Sequence, residues 1–148
     1  MMFNPSRNEV RRFFVEAWRK HRAGAILTPI EAQALPWIER HPEYHGLLER
    51  PDEAIDREFD AENGESNPFL HLSLHLALAE QLSIDQPPGI RAAFARLQAR
   101  HASLHDAAHA AIECLAQTIW EAQRATAPVD PLELNARYLE ALERAVGG

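Results

Sequence analysis

Four pairs of histidines in this chain stand four residues apart: His41/His45, His71/His75, His101/His105 and His105/His109. Eight histidines scattered at random over this length give roughly 0.4 such pairs, so the spacing is not a by-product of composition. Four residues is about one helical turn, so a pair inside a helix points to one side. Neutral imidazoles held on facing helices are ligands for divalent transition metals.

Two segments carry most of this signal. His71 and His75 lie in a stretch that is apolar nearly all round: Phe69, Leu70, Leu72, Leu74, Leu76, Leu78 and Leu82. Its helix belongs in the middle of an α-helical bundle, with both imidazoles on the side of Leu78 and Leu82. Polar groups in such a setting each cost about 1–3 kcal/mol if left without partners. The second segment carries His105, His109 and Glu113 at i, i+4 and i+8, beside Leu104, Ala108, Ile112, Leu115 and Ile119. Together the two helices offer His71, His75, His105, His109 and Glu113 to one site, with His41 or His45 completing the shell. A carboxylate among histidines suits Zn or Fe, in a mononuclear or a dinuclear site. Two other readings stand beside this one. His71 and His75 are core residues bonded to Glu113 or to backbone, or the histidines form a pH-sensing cluster.

Other histidines are less informative. His101/His105 straddles an expected helix break. His41 sits before Pro42 at the start of a short helix, so His41 and His45 do not strictly share a face. His21 is expected at the surface at a helix end, where the macrodipole favours positive charge. Cys114 points away from Glu113 and reads as a buried, inert thiol. Trp18, Trp37 and Trp120, one per helix, read as core. No signature of a zinc protease, thiol redox centre, serine hydrolase, phosphate loop or dinucleotide fold is present. The segment Asp60-Ala-Glu62-Asn-Gly64 departs from a calcium loop, with glycine one position early and the final glutamate missing. The sequence therefore assigns no reaction.

The elements that must position these residues are punctuated clearly. Ser6 with Glu9, and Thr28-Pro29 with Glu31, are helix starts. The first helix should run to about Arg22 and stop before Gly24. Pro36 is expected to kink or end the second helix near Leu35. His41-Pro42 leads a short helix through Leu48, and 50–66 reads as mostly irregular, with room for one helical turn. Asn67-Pro68 opens the apolar helix, Pro87-Pro88-Gly89 turns the chain, and a break near Ala102 separates a helix from about Gly89 from the long one at 104–126. Asp130-Pro131 starts the last. The expectation is an all-α bundle of about five to six helices in a single domain over 1–148.

Apolar content of 46% in 148 residues is enough for an ordinary core. One cysteine, no signal-like start and no spanning run point to a cytoplasmic protein with no membrane partner. Net charge is −7, which disfavours nucleic acid. Residues 49–65 carry eight carboxylates against Arg50 and Arg57, whereas residues 1–22 carry five arginines and Lys20 against Glu9 and Glu16. Either these segments attract each other within the fold, or they serve a protein partner or a homodimer. The competing functional class is therefore a metal-free adaptor or regulatory module using these surfaces.

His-Pro-Glu-Tyr-His at 41–45, Asn-Pro-Phe-Leu-His-x3-His at 67–75, His-x3-His-x3-Glu at 105–113 and Trp-Glu-Ala-Gln-Arg at 120–124 resemble an uncharacterised bacterial family of about this length, labelled only as a domain of unknown function. That resemblance implies a bacterial cytoplasmic protein and brings no activity. The histidine pattern is also loosely similar to haemerythrin and the DinB-type helical metalloproteins, four-helix bundles with His and carboxylate ligands. Ligand order and spacing differ here, so neither family's activity transfers.

Overall fold

The computed structural model describes residues 6–60 and 66–147. Among them every regular element is helical. There are eight α-helices: α1 (Arg7–Ala23), α2 (Pro29–Glu39), α3 (His45–Leu48), α4 (Pro51–Asp56), α5 (Pro68–Ile84), α6 (Ile90–Ala99), α7 (Leu104–Gln123) and α8 (Pro131–Gly147), with a 3-10 turn at Pro42–Tyr44 before α3. The all-α class agrees with the sequence, but the expected five to six helices are too few. The excess lies between α2 and α5. Pro42 and Pro51 each occupy a first helical position and open separate short elements, since proline has no N–H to lose there. The segment expected to be mostly irregular, with room for one helical turn, holds the six-residue α4, and its residues 61–65, which carry most of the departed calcium-loop pattern, lie outside the described residues. No described helix is long and apolar enough to cross a membrane.

The chain divides into two compact units, Met1–Leu76 and Ala77–Gly148, the boundary falling within α5. In the first unit, local chemistry sets the helix ends. Ser6 accepts from the Glu9 N–H and the Glu9 carboxylate reaches back to the Ser6 N–H, so both orphan donors are satisfied. Gly24, at φ +70°, closes α1 in a left-handed conformation that suits glycine. Thr28 and Glu31 form the same reciprocal cap on α2.

Pro36 does not end α2, which continues to Glu39. The proline lacks the bond to Ala32 and crowds that turn, at a cost of about 3 kcal/mol. Burying Ile38 completely, with Ala34 beside it, offsets a comparable amount, at about 1.5–3 kcal/mol for one large aliphatic side chain. Around these residues the first core gathers Phe14, Trp18, Leu47, Leu48, Phe69 and Leu72.

The basic and acidic segments meet inside this unit. The Arg7 guanidinium pairs with Glu58 at 2.7 Å and donates to the Ile55 and Arg57 carbonyls. Arg11 is 3% exposed and donates to the carbonyls of Ala54, Ile55 and Arg57 at 2.7–3.1 Å. It also lies over the Phe59 and Phe69 rings. One cation on α1 therefore closes the carbonyl end of α4, where the helix dipole is negative. Trp18 Nε1 donates to Glu49, and Arg22 approaches the same carboxylate at 3.6 Å. For these residues the charge asymmetry holds the fold together.

In the second unit α6, α7 and α8 pack pairwise. The break between α6 and α7 falls where expected, and Ser103 caps α7 by accepting from the Asp106 N–H at 3.0 Å. Ile90, Phe94, Leu97, Ala107, Ala111, Ile112 and Leu142 are buried. The Tyr138 hydroxyl donates to Gln81 at 2.8 Å, and burial pushes its phenol well above the usual range. The small residues Ala107, Ala108 and Ala111 are fully enclosed on α7.

Candidate metal centre

In the first unit three histidines from two separate elements converge. α5 supplies His71 and His75, one turn apart; His41 comes from the junction between α2 and the 3-10 turn. The Nε2 atoms of His71 and His41 are 3.0 Å apart, and those of His75 and His71 are 3.1 Å apart. One ligand atom from each of the three residues falls within 4.8 Å of the others. His75 is completely enclosed, His41 is 2% exposed, and His71 is partly buried.

The state of His41 follows from its other nitrogen. Nδ1 lies 2.6 Å from the Trp37 carbonyl oxygen. A carbonyl can only accept, so Nδ1 carries the proton. In the neutral ring Nε2 then holds a lone pair directed at His71. A carbonyl that fixes the tautomer from behind is the arrangement by which metal-bound histidines are usually oriented.

Aromatic rings enclose the group. Trp37 stacks on His75 with centroids 4.5 Å apart and planes at 12°. Arg40 lies over the same indole. Tyr44 lies parallel to His41 at 5.3 Å. Burial, and after it the charge of Glu43, raises the Tyr44 phenol above its ordinary value. Neither Trp37 nor Tyr44 was expected at the site. Trp37 carried a signal, standing in α2 four residues before His41, which follows the end of that helix; Tyr44 lies within the His-Pro-Glu-Tyr-His run.

The other candidates have different surroundings. His45 donates from Nε2 to the Ile38 carbonyl at 2.7 Å and stacks on Trp18 with centroids 4.0 Å apart. It braces α3 against α1 and α2 and does not join the three. His105 and His109 belong to the second unit, where their rings meet edge-on at 4.3 Å in the first turns of α7. Glu113, one turn further, is exposed. His21 is exposed and approaches Glu39 at 3.6 Å.

Cys114 donates weakly to the Ala141 carbonyl, and burial raises its thiol, consistent with an inert residue. Trp120 corrects the sequence reading. It is 51% exposed, with Arg124 over its ring, and is not core. It lies in the last turns of α7, where a neighbouring cation covers one face in place of packed side chains.

Separations of 3.0–3.1 Å also suit a shared ion. Metal–nitrogen bonds of about 2.0–2.1 Å put adjacent ligand nitrogens about 3.0 Å apart in an octahedron and about 3.3 Å apart in a tetrahedron. Two of the three nitrogen pairs, both through His71, stand at this spacing, which suits a shared metal or one proton between neighbours without it.

No curated protein and no solved structure matches the chain. A family model does match, over residues 6–144, a span that includes all the histidines discussed. The chain belongs to the family described as Domain of unknown function (DUF1841).

Proposed function

We propose that this protein binds a divalent transition metal, Zn or Fe, through His41, His71 and His75. His105, His109 and Glu113 on α7 are likewise proposed as metal ligands, from their spacing along that helix. The observation that carries the reading is the convergence of three Nε2 atoms, two pairs of them 3.0 and 3.1 Å apart. The tautomer set on His41 by the Trp37 carbonyl supports it. On α7 the support is the i, i+4, i+8 spacing and the paired rings of His105 and His109. Three imidazoles with an open position suit activation of bound water, and iron in the same shell suits oxygen chemistry.

The test is elemental analysis of untagged protein, followed by titration with Zn(II) and Fe(II). Near-stoichiometric metal is expected, lost in His71→Ala and in His109→Ala and kept in His21→Ala. Protein that carries no metal and takes up neither ion overturns the reading. Metal retained in His109→Ala but lost in His71→Ala restricts the ligands to the first unit.

The adaptor reading has less support in the first unit. Arg7, Arg11 and Arg22, which would form its basic surface, are engaged with residues 49–58 of the same chain.

A further inference from the structure

Tyr44 borders two features at once. Its ring lies parallel to His41, with 5° between the planes. It also lines a surface pocket of about 350 Å³ together with Glu43, Gly46, Arg50, Arg57 and Phe59. All of these residues belong to the first unit. The volume is at the small end of the range for sites that hold small molecules.

The lining combines a cationic fork with aromatic walls. Arg50 reaches Glu53 through Nε at 2.6 Å, an exposed pair that contributes little to stability. Its Nη1 lies beside Gly46, where a Cβ would stand 3.4 Å away. Arg50 and Gly46 both line the pocket at this point. The Arg57 guanidinium covers the Phe59 ring at 5.0 Å. A planar guanidinium pairs with a carboxylate through two parallel hydrogen bonds, which a lysine cannot reproduce. Glu43 in the lining adds a negative charge, which favours a monoanion over a doubly charged phosphate.

We infer that this pocket takes a small monocarboxylate with a flat apolar body, its carboxylate on Arg50 and its body against Tyr44. The ligand then lies one aromatic ring from His41. As the substrate pocket of a metal centre, the assignment rests on the metal reading above; as a carboxylate site it stands on its own lining.

The probe is benzoate, titrated calorimetrically into the full chain in zinc-free and zinc-loaded forms. Acetate, which lacks the body, and benzyl alcohol, which lacks the charge, are the controls. Saturable binding of benzoate is expected, with each control at least about tenfold weaker. Arg50→Gln should weaken benzoate at least about tenfold and Arg50→Lys by an intermediate factor, since lysine keeps the charge and loses the fork. Both variants should keep the wild-type melting temperature and zinc stoichiometry. Absence of benzoate binding in both forms overturns the inference, as does affinity unchanged in Arg50→Gln. Benzoate binding to a protein that takes up no metal upholds the pocket and overturns the metal reading. Zinc binding without benzoate binding does the reverse.

Discussion

The indole of Trp37 lies flat on the imidazole of His75, 4.5 Å between centroids. Any paramagnetic ion held by His75 is therefore in contact range of one of the three tryptophans. Titration with Cu(II) or Ni(II) should quench part of the emission saturably. In Trp37→Phe that part should vanish while the emission of Trp18 and Trp120 remains. Quenching that is unchanged in Trp37→Phe would place the ion elsewhere.

A bound metal stabilises the folded chain by mass action, by about 2.7 kcal/mol at a hundredfold excess over its dissociation constant. Addition of a chelator at about pH 7.5 should lower the melting temperature. Protons compete for the same nitrogens, so the gap between loaded and chelated protein should narrow towards about pH 5. Superimposable melting curves at the higher pH would leave the three histidines as a hydrogen-bonded core cluster.

His45 and His71 should separate cleanly on mutation. His45→Ala removes the bond to the Ile38 carbonyl and the stack on Trp18. A loss of about 1–3 kcal/mol in stability is expected, with metal stoichiometry unchanged. Urea unfolding and elemental analysis on the same preparation measure both. Metal loss in His45→Ala without loss of stability would reverse its assignment as a brace.

Arg11→Met should be among the more damaging single changes in the first unit. It leaves the carbonyls of Ala54, Ile55 and Arg57 without their shared cation, a loss of about 3 kcal/mol if the segment does not rearrange. Arg11→Lys should recover only part of this, because an ammonium can reach the same oxygens but loses the planar guanidinium's contact over the Phe59 and Phe69 rings. Chemical denaturation of the two variants checks the order.

Glu31 links stability to pH. Burial alone raises its pKa, but hydrogen bonds from the Thr28 backbone, Lys20 and the Thr28 hydroxyl outweigh burial and hold it below the ordinary value of 4.5. A carboxylate with a depressed folded pKa contributes stability that is present above the unfolded value and lost as pH falls through the folded one. Glu31→Gln should therefore cost about 1–2 kcal/mol near neutrality. The difference from wild type should shrink as pH drops below 4.5. A constant difference between pH 7 and about pH 3 would assign the effect to packing.

What the sequence determined by itself is what local interactions decide. Ser6 with Glu9, Thr28 with Glu31, Ser103 before α7 and Gly24 after α1 act within a few residues of chain, and each helix end follows from them. Helical periodicity likewise placed His71 and His75 on one side of α5, and His105 and His109 on one side of α7. Tertiary structure decided which further side chains the first pair meets. His41 and His45 stand equally close in sequence, yet His41 turns to His71 while His45 turns to the Ile38 carbonyl. The 3-10 turn between them winds more tightly than an α-helix, so four residues no longer return a side chain to the same face. The continuation of α2 through Pro36 belongs to tertiary structure as well. Enclosing Ile38 in the core offsets a backbone cost that local propensity alone would not accept, and the longer helix delivers the Trp37 carbonyl that sets the tautomer of His41.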